Sequence, residues 1–251
     1  MQTKPLMNIN ANEPLPELEG KYNKWYDEVH IPIVLKNLGL LGLTRYKIVA
    51  GISDPNHPGL AEPKEGYARY LTIYDFENEE TFRAFDQSPE MKEALEDLTR
   101  TWKSGELTVK FRAQYKPRRT WEGKVKAPVG MIHMVGPTVP PQVEDEFNHW
   151  YDEIHIPVLL RDPRLLGLTR YKIVTGIAHP HRPLSTGPGE GYPKYLTIYN
   201  FENPESFRAY DHSPEMKAEN EEWEKMRRSW KPGATKVLMR AQYMPIRTWT
   251  R

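Results

Sequence analysis

One segment of the chain occurs twice, and this repetition constrains the fold more than any other feature. Asn23–Pro32 (NKWYDEVHIP) returns as Asn148–Pro157 (NHWYDEIHIP), 125 residues further on, and Leu40–Val49 is identical to Leu165–Val174. In a chain of 251 residues, a repeat at this distance predicts two domains of similar size. We assign residues 1–116 to the first repeat, 117–128 to a linker rich in Lys, Arg and Pro, and 129–251 to the second repeat.

Composition narrows the class of protein. The 14 Tyr, 7 Trp and 7 Phe supply large side chains for two cores, and the net charge of +1 gives no attraction for nucleic acid or an anionic membrane. Without cysteine the chain forms no disulfide and no thiolate metal site. No segment approaches the ~18 apolar residues of a membrane span, and no signal peptide is evident. We therefore expect a cytoplasmic protein that acts on a small molecule.

Each repeat predicts the same order of elements. Apolar runs and turn residues indicate strand, helix, strand, strand, helix and strand, which is the ferredoxin-like order. The second helix should restart at Ser88 as its N-cap, with Pro89 as the first helical residue. A sheet with helices on one side leaves an apolar face bare, and two copies can bury it sheet to sheet. In the first repeat we predict strands at 4–10, 43–52, 67–76 and 107–115 and helices at 17–30 and 78–102; in the second, the clearest strands are 129–135 and 236–243.

The repeated motif itself predicts an amphipathic helix that breaks after His30. Pro32 lacks the amide proton that would bond the carbonyl of Glu28, so the helix should kink or restart there. At 100° per residue, Asn23, Asp27 and His30 lie along one edge of an apolar stripe. The stripe consists of Tyr22, Trp25, Tyr26, Val29 and Ile33.

The element order, the duplication and the motif Asn23-x-Trp-Tyr-Asp-x-x-His-Ile-Pro32 resemble the dimeric α+β barrel superfamily, and within it the EthD-like proteins. The resemblance covers nearly the whole chain. It implies an α+β fold in which two ferredoxin-like βαββαβ repeats pack sheet to sheet as an intramolecular dimeric barrel. It also implies one pocket per repeat, between the sheet and its own helices, and it points to His30 and His155 as residues that line these pockets. Whether two such chains pair again as a homodimer stays open.

The histidines of the motif are the first candidates for catalysis. Over residues 21–52 and 146–177 the repeats are identical at 21 of 32 positions, whereas over 6–16 and 131–141 they are identical at only one. Either core packing or a shared site therefore limits changes in the segment that contains the motif. A histidine near neutral pKa, with a carboxylate one turn earlier, is suited to general base catalysis. We predict His30 and His155 as bases oriented by Asp27 and Asp152. The alternative is a capping histidine paired with a neighbouring acid.

Further side chains are candidates for substrate binding. Arg45 and Arg170 would stabilise an oxyanion, or else form structural ion pairs. Strand tyrosines would donate hydrogen bonds to a substrate, although aromatic residues in strands mostly serve packing. Trp25, Tyr26, Trp102 and Trp121 are interpreted as core. The predicted binding residues are Asn23, Arg45, Tyr46, Tyr70 and Tyr74 in the first repeat, and His133, Asn148, Arg170, Tyr171, Tyr195 and Tyr199 in the second.

One strand position differs between the repeats in a way that bears on chemistry. Asn8 in the first repeat corresponds to His133 in the second. If this side chain faces the pocket, the two sites have unequal acid and base groups, and only the second is fully active. The loop histidines His57, His179 and His181 lack zinc-ligand spacing, so we predict no metal site.

These residues favour an enzyme that needs no cofactor and uses histidine acid/base chemistry on a small apolar or aromatic, polyketide-like compound. Dehydration, decarboxylation or cyclisation, as in a lyase or isomerase, is favoured slightly over the alternative of a cofactor-free monooxygenase. Two further alternatives remain. The chain is a haem-binding protein with His30 or His155 as the axial ligand, or a carrier that binds a small molecule without turnover. An RNA-binding module shares the element order, but the charge of the chain disfavours it.

Overall fold

The strands form one closed, antiparallel barrel. The structure is a computed structural model that describes residues 5–49, 67–174, 192–229 and 236–250. Around the barrel the strand order is β1-β3-β2-β8-β5-β7-β6-β4. The strands are β1 (Leu6–Pro14), β2 (Leu40–Ile48), β3 (Tyr70–Phe76), β4 (Leu107–Glu122), β5 (Met131–Thr138), β6 (Gly167–Ile173), β7 (Tyr195–Phe201) and β8 (Lys236–Thr250).

Helices cover the outside of the barrel. Each half of the chain has a helical segment between its first two strands and two helices between its last two strands. The helices are α1 (Glu19–Trp25), α2 (Ile31–Val34), α3 (Glu79–Asp86), α4 (Pro89–Thr101), α5 (Glu144–Trp150), α6 (Ile156–Leu159), α7 (Pro204–Asp211) and α8 (Pro214–Ser229). A π-helical turn joins α1 to α2 (Tyr26–His30), and another joins α5 to α6 (Tyr151–His155). None of the described helices is long and apolar enough to span a membrane.

Side chains alternate between the two faces of each strand and so build three cores. In β1, Met7 and Ile9 point into the barrel, where they pack against Ile132 and Met134 from the other half. Leu6 points outward and packs under the helices of its own half. A matching outer core lies under the helices of the second half. Residues on the outer face of a strand are therefore the ones that can meet a helix-side pocket.

The last strand of each half is longer than predicted, and this closes the barrel. The first part of β4 pairs with β1, and its second part, Tyr115–Glu122, pairs with β6 of the other half. In the same way β8 pairs first with β5 and then with β2. Residues 117–122, which we assigned to a linker, therefore belong to a strand. Through β4 and β8 the strands of the two halves are hydrogen-bonded edge to edge into one closed sheet.

The helix changes at His30, where a kink or restart was predicted, but the change is a π-helical turn: the α-helix resumes at Ile31 and accommodates Pro32. The backbone N–H of Ile31 donates to the carbonyl of Tyr26, five residues earlier, and α2 continues through the proline. The wider turn also changes the helix face, so Val29, which we placed in the buried stripe, is 38% exposed. The N-cap predictions were correct. The hydroxyl of Ser88 accepts a hydrogen bond from the backbone N–H of Met91, at 3.2 Å.

Candidate active site

A buried arginine organises the space under the first π-helical turn. Arg45 of β2 is 1% exposed, and its guanidinium donates to the carboxylate of Asp27 and, at 2.7 Å, to Oδ1 of Asn23. The amide of Asn23 in turn donates to the hydroxyl of Tyr70, at 2.8 Å. The guanidinium also lies 4.6 Å from the ring centre of Tyr26. This arginine, which we considered for substrate binding, is held inside the protein by its own neighbours.

The second half repeats this network. Arg170 is fully buried, donates to Asp152 and to Asn148 Oδ1 at 3.0 Å, and lies 4.2 Å from the ring centre of Tyr151. Asn148 donates to the hydroxyl of Tyr195, at 2.9 Å. A buried guanidinium is tolerated because its charge and several of its donors are matched. These buried networks, which use the Asn and Asp of the motif in both halves, explain why the two copies of the motif are so similar.

Asp27 and Asp152 do not orient the histidines, and this corrects the prediction. The carboxylate of Asp27 contacts Arg45 and lies 3.8 Å from Arg247, while Asp152 contacts Arg170 and lies 3.4 Å from Arg118. The spacing argument assumed an α-helix throughout. A π-helical turn advances each residue by a smaller angle, so residues three positions apart no longer share a face.

Carboxylates complete the network at its outer end. The ammonium of Lys47 and the hydroxyl of Tyr70 donate to Glu19 and, with Lys47 as the larger cause, lower its pKa to about 2. Burial would raise the pKa of Glu144, but donors from Lys194 and Tyr195 outweigh it and lower that pKa to about 2 as well. Both glutamates are therefore ionised in the folded protein at neutral pH.

The strand tyrosines fall into three groups. Tyr46 and Tyr171 point into the barrel with the interior core, so they lie on the opposite strand face from Arg45 and Arg170 and cannot reach a helix-side pocket. Tyr70 and Tyr195 belong to the arginine networks just described. Only Tyr74 and Tyr199 lie beneath the motif histidines, where their hydroxyls are 2.6 Å from those of Tyr26 and Tyr151.

In the first half, His30 is enclosed by aromatic rings. It is 8% exposed, and its ring centre lies 5.1 Å from that of Trp25 and 4.8 Å from that of Tyr26. Nε2 is 3.4 Å from the hydroxyl of Tyr74. The two rings and the hydroxyl of Tyr74 thus hold this imidazole under the π-helical turn.

In the second half, His155 contacts a buried carboxylate. Nδ1 of His155 lies 2.5 Å from Oε1 of Glu219, a residue of α8 that is 4% exposed. The imidazole is stacked on the indole of Trp150, with ring centres 4.9 Å apart, and contacts Tyr151 at 4.6 Å. Two rings and a buried carboxylate thus fix both the position and the orientation of His155.

A cavity opens beside this histidine, between the sheet and helices α7 and α8. Its interior measures about 70 Å³, and the empty space reaches about 630 Å³ when the open mouth is included. Most of its wall is aromatic or aliphatic, and polar groups converge on it from the sheet and both helices. Its lining residues include His133, Tyr151, His155, Tyr199, Phe207, Tyr210, Asn220 and Trp223.

The difference between Asn8 and His133 is located at this cavity. His133 lines it, accepts a hydrogen bond from the amide of Gln242 at Nδ1 (3.1 Å), and packs 4.8 Å from the ring of Phe207. Asn8 instead accepts from Gln114, at 3.1 Å. The position does face the helix side of the sheet, as the hypothesis of unequal sites required.

The structure also brings in residues that the sequence analysis did not select. Glu219, Asn220 and Trp223 on α8 correspond to Ala94, Leu95 and Leu98 on α4, so they fall outside the conserved part of the repeat. Comparing the two copies for polar residues gained in only one of them would have identified Glu219 and Asn220. We searched for shared residues and therefore missed them.

Metal binding finds no support in the part of the chain that the structure covers. No group of three or more His, Asp or Glu side chains that could hold an ion occurs among the described residues. The loop histidines His57, His179 and His181 lie outside the described ranges.

Comparison with known proteins gives matches at the level of structure. No protein-family model and no curated protein sequence matches the chain. An anthrone oxidase-like protein superposes with a TM-score of 0.62 at 13% identity, over 99% of this chain and 94% of that one. A protein of Fusobacterium nucleatum subsp. nucleatum, provisionally named a monooxygenase, gives a TM-score of 0.57 at 12% identity, over 100% and 96%.

A chlorite dismutase variant from Candidatus Nitrospira defluvii is similar to the same extent. It gives a TM-score of 0.56 at 10% identity, over 98% of this chain and 93% of that one. Identities this low show a shared fold and carry no information about the reaction. These proteins belong to the dimeric α+β barrel superfamily, and the chain shares their fold.

Proposed function

We propose that the cavity of the second half is the active site of an enzyme that removes a proton from a small, largely apolar aromatic compound of polyketide type. The observation that carries this proposal is the 2.5 Å contact between His155 and Glu219 at an aromatic cavity. We interpret the chain as an internal dimer of two ferredoxin-like, EthD-like repeats, of which the first is mainly structural. The chemistry uses side chains alone, without a metal or an organic cofactor.

The dyad assigns a role to each nitrogen of His155. With Nδ1–H donating to Glu219, Nε2 is the basic nitrogen. Nε2 has no hydrogen-bond partner among the described residues. When Nε2 takes a proton, the buried carboxylate stabilises the imidazolium that forms. Burial raises the pKa of Tyr199 well above its ordinary value, so its hydroxyl stays protonated beside the cavity.

The anion that forms when the proton is removed can react further in more than one way. Elimination, decarboxylation or ring closure of the resulting anion is lyase or isomerase chemistry, which we favour. Addition of O₂ to an electron-rich anion is the chemistry of a cofactor-free monooxygenase. The neighbours named anthrone oxidase-like protein and monooxygenase do not decide between the two classes, because at 13% and 12% identity they show only a shared fold. Both classes share the same first step and the same base.

One experiment separates these classes. The purified protein is incubated in D₂O with a panel of small aromatic ketones and anthrones, while NMR records deuterium incorporation and an electrode records O₂ uptake. We expect protein-dependent exchange of the proton next to the carbonyl. Exchange without O₂ uptake supports a lyase or isomerase, and exchange with uptake supports a monooxygenase. If no compound that binds exchanges a proton, the base role is wrong and the chain is a carrier.

Haem binding is the second candidate, because a carboxylate often holds the free nitrogen of a metal-ligating histidine. The donor arrangement at His155 fits an axial ligand. The space fits haem poorly, because a porphyrin is a rigid plate much larger than the small aromatic compounds proposed above, the enclosed interior is about 70 Å³, and Trp223 forms part of the wall. We therefore place haem below the acid/base function. A Soret band that appears on haem addition and is lost in His155→Ala would reverse this order.

A further inference from the structure

Three positions near the cavity are polar in the second half and apolar in the first. Each pair is matched by the same displacement of 125 residues. Glu219 is the partner of His155, and the other two side chains line the same cavity. At these three positions the second half thus has polar groups at or beside the cavity that the first half does not have. The pairs are Phe85 and Tyr210, Ala94 and Glu219, and Leu95 and Asn220.

Two of these groups are hydrogen-bond donors for which the described residues supply no acceptor. The hydroxyl of Tyr210 and the amide nitrogen of Asn220 are both buried, and neither has a hydrogen-bond partner among the described residues. Buried donors in native proteins are nearly always satisfied, so an acceptor from outside the protein is expected here. Burial raises the pKa of Tyr210 well above its ordinary value, and the phenol therefore remains a donor.

We propose that Tyr210 and Asn220 together bind the oxygen atom of the substrate and stabilise negative charge that develops there. This inference rests on the proposed function and deepens it, because it defines the substrate class. The substrate is a small aromatic compound whose oxygen becomes an anion when His155 removes a proton. Enolisable aryl ketones and acidic phenols meet this requirement. Donors of this kind are worth most in a desolvated site, where no water competes for the anion.

The reaction step balances with the groups present. Nε2 of His155 takes a proton from the carbon next to the carbonyl, and the C–H bond breaks. The electron pair of that bond forms a carbon–carbon double bond, and the π electrons of the carbonyl move to oxygen. Tyr210 and Asn220 donate to the resulting enolate. Where the enolate is conjugated with a further carbon–carbon double bond, return of the proton from the imidazolium to the far carbon of that bond completes an isomerisation, and no further reactant is consumed.

The probe that tests this inference is 4-nitrophenol, which absorbs at a longer wavelength when ionised and needs no turnover to be read. It is titrated with the intact protein at a pH where the free compound is mostly neutral. We expect the bound compound to be ionised. Tyr210→Phe and Asn220→Leu should each weaken phenolate binding about 10- to 100-fold, because each removes one hydrogen bond to a charged oxygen.

Both substitutions are taken from the first half of the chain, where Phe85 and Leu95 occupy the positions that correspond to Tyr210 and Asn220. Circular dichroism verifies folding, and if one variant is unfolded the other decides. Bound 4-nitrophenol that stays neutral, or folded variants that bind its anion as tightly as the unchanged protein, would overturn the inference. The proposed function is tested by a different measurement, proton exchange in D₂O. If 4-nitrophenol is ionised in a way that depends on Tyr210 and Asn220 but no compound exchanges a proton, the oxygen site is supported and the base role of His155 is wrong.

Discussion

Nδ1 of His155 and Oε1 of Glu219 lie 2.5 Å apart, although 64 residues separate the two in the chain. The matching pair in the first half is His30 and Ala94, which provides no carboxylate. The same motif histidine therefore has different neighbours in the two halves. In the second half the motif histidine contacts a buried acid and also lines a cavity.

The dyad predicts a specific kinetic effect of Glu219→Gln. Glu219 acts through the imidazole and is a positioning residue, so we expect kcat to fall about 10- to 100-fold while KM changes little. Steady-state kinetics on the compound identified by proton exchange measure both values. Glu222→Gln on the same helix is the control, because Glu222 is exposed and pairs only with Lys225 among the described residues. A loss of similar size in the control would argue against a role for the dyad.

The buried arginine predicts an effect on stability. Asp152→Asn leaves the charge of Arg170, which is fully buried, without its carboxylate, and should lower the free energy of unfolding by about 3 to 5 kcal/mol. Arg118→Ala removes only a one-third exposed partner at 3.4 Å and should cost less than about 1 kcal/mol. Urea unfolding measures both variants. Equal losses would mean that Asp152 does not compensate Arg170.

The glutamates of the networks predict acid sensitivity. Their pKa is lowered to about 2 in the folded protein, from 4.5 for an ordinary glutamate, so the folded state binds protons less readily than the unfolded state. The stabilisation is present above pH 4.5 and is lost as the pH falls toward 2. Urea unfolding between pH 6 and pH 2.5 should show this decline, and Glu144→Gln should make it shallower. A decline of unchanged slope in that variant would assign the acid sensitivity to other groups.

The N-cap of α8 predicts a loss of stability that leaves the chemistry intact. The hydroxyl of Ser213 accepts a hydrogen bond from the backbone N–H of Met216, at 3.1 Å, as Ser88 does in the first half. Ser213→Ala should therefore cost about 1 kcal/mol in the free energy of unfolding. Ser213→Asp, which keeps a capping acceptor, should restore most of it. Failure of Asp to rescue would show that the serine serves packing instead.

Local patterns in the sequence predicted much of the fold. The element order, the restart at Ser88 and the burial of Trp25 and Tyr26 follow from residue type and spacing alone. The length of β4 did not, because its second part is stabilised by pairing with β6. That partner lies about fifty residues further along, and a window of a few residues carries no sign of it.

The site was predicted less completely, for two physical reasons. The first is the π-helical turn, which places His30 and Asp27 on different faces of the helix, so that the carboxylate of Asp27 pairs with Arg45. The second is that the partners of a side chain meet it through tertiary contacts. His155 stays a predicted base, and its partner Glu219 is on a helix whose sequence differs between the halves. The residues that the two repeats share form the buried arginine networks, whereas residues of the proposed site such as Glu219 and Asn220 differ between the repeats.

Paired substitutions at the two motif histidines test the central claim most directly. The proton-exchange rate of His155→Gln is compared with that of His30→Gln, on the same compound and in folded protein. If the second half holds the base, His155→Gln should lower the rate by about 100-fold or more, while His30→Gln leaves it within about threefold of the unchanged protein. Equal losses in the two variants, or a larger loss in His30→Gln, would contradict the account.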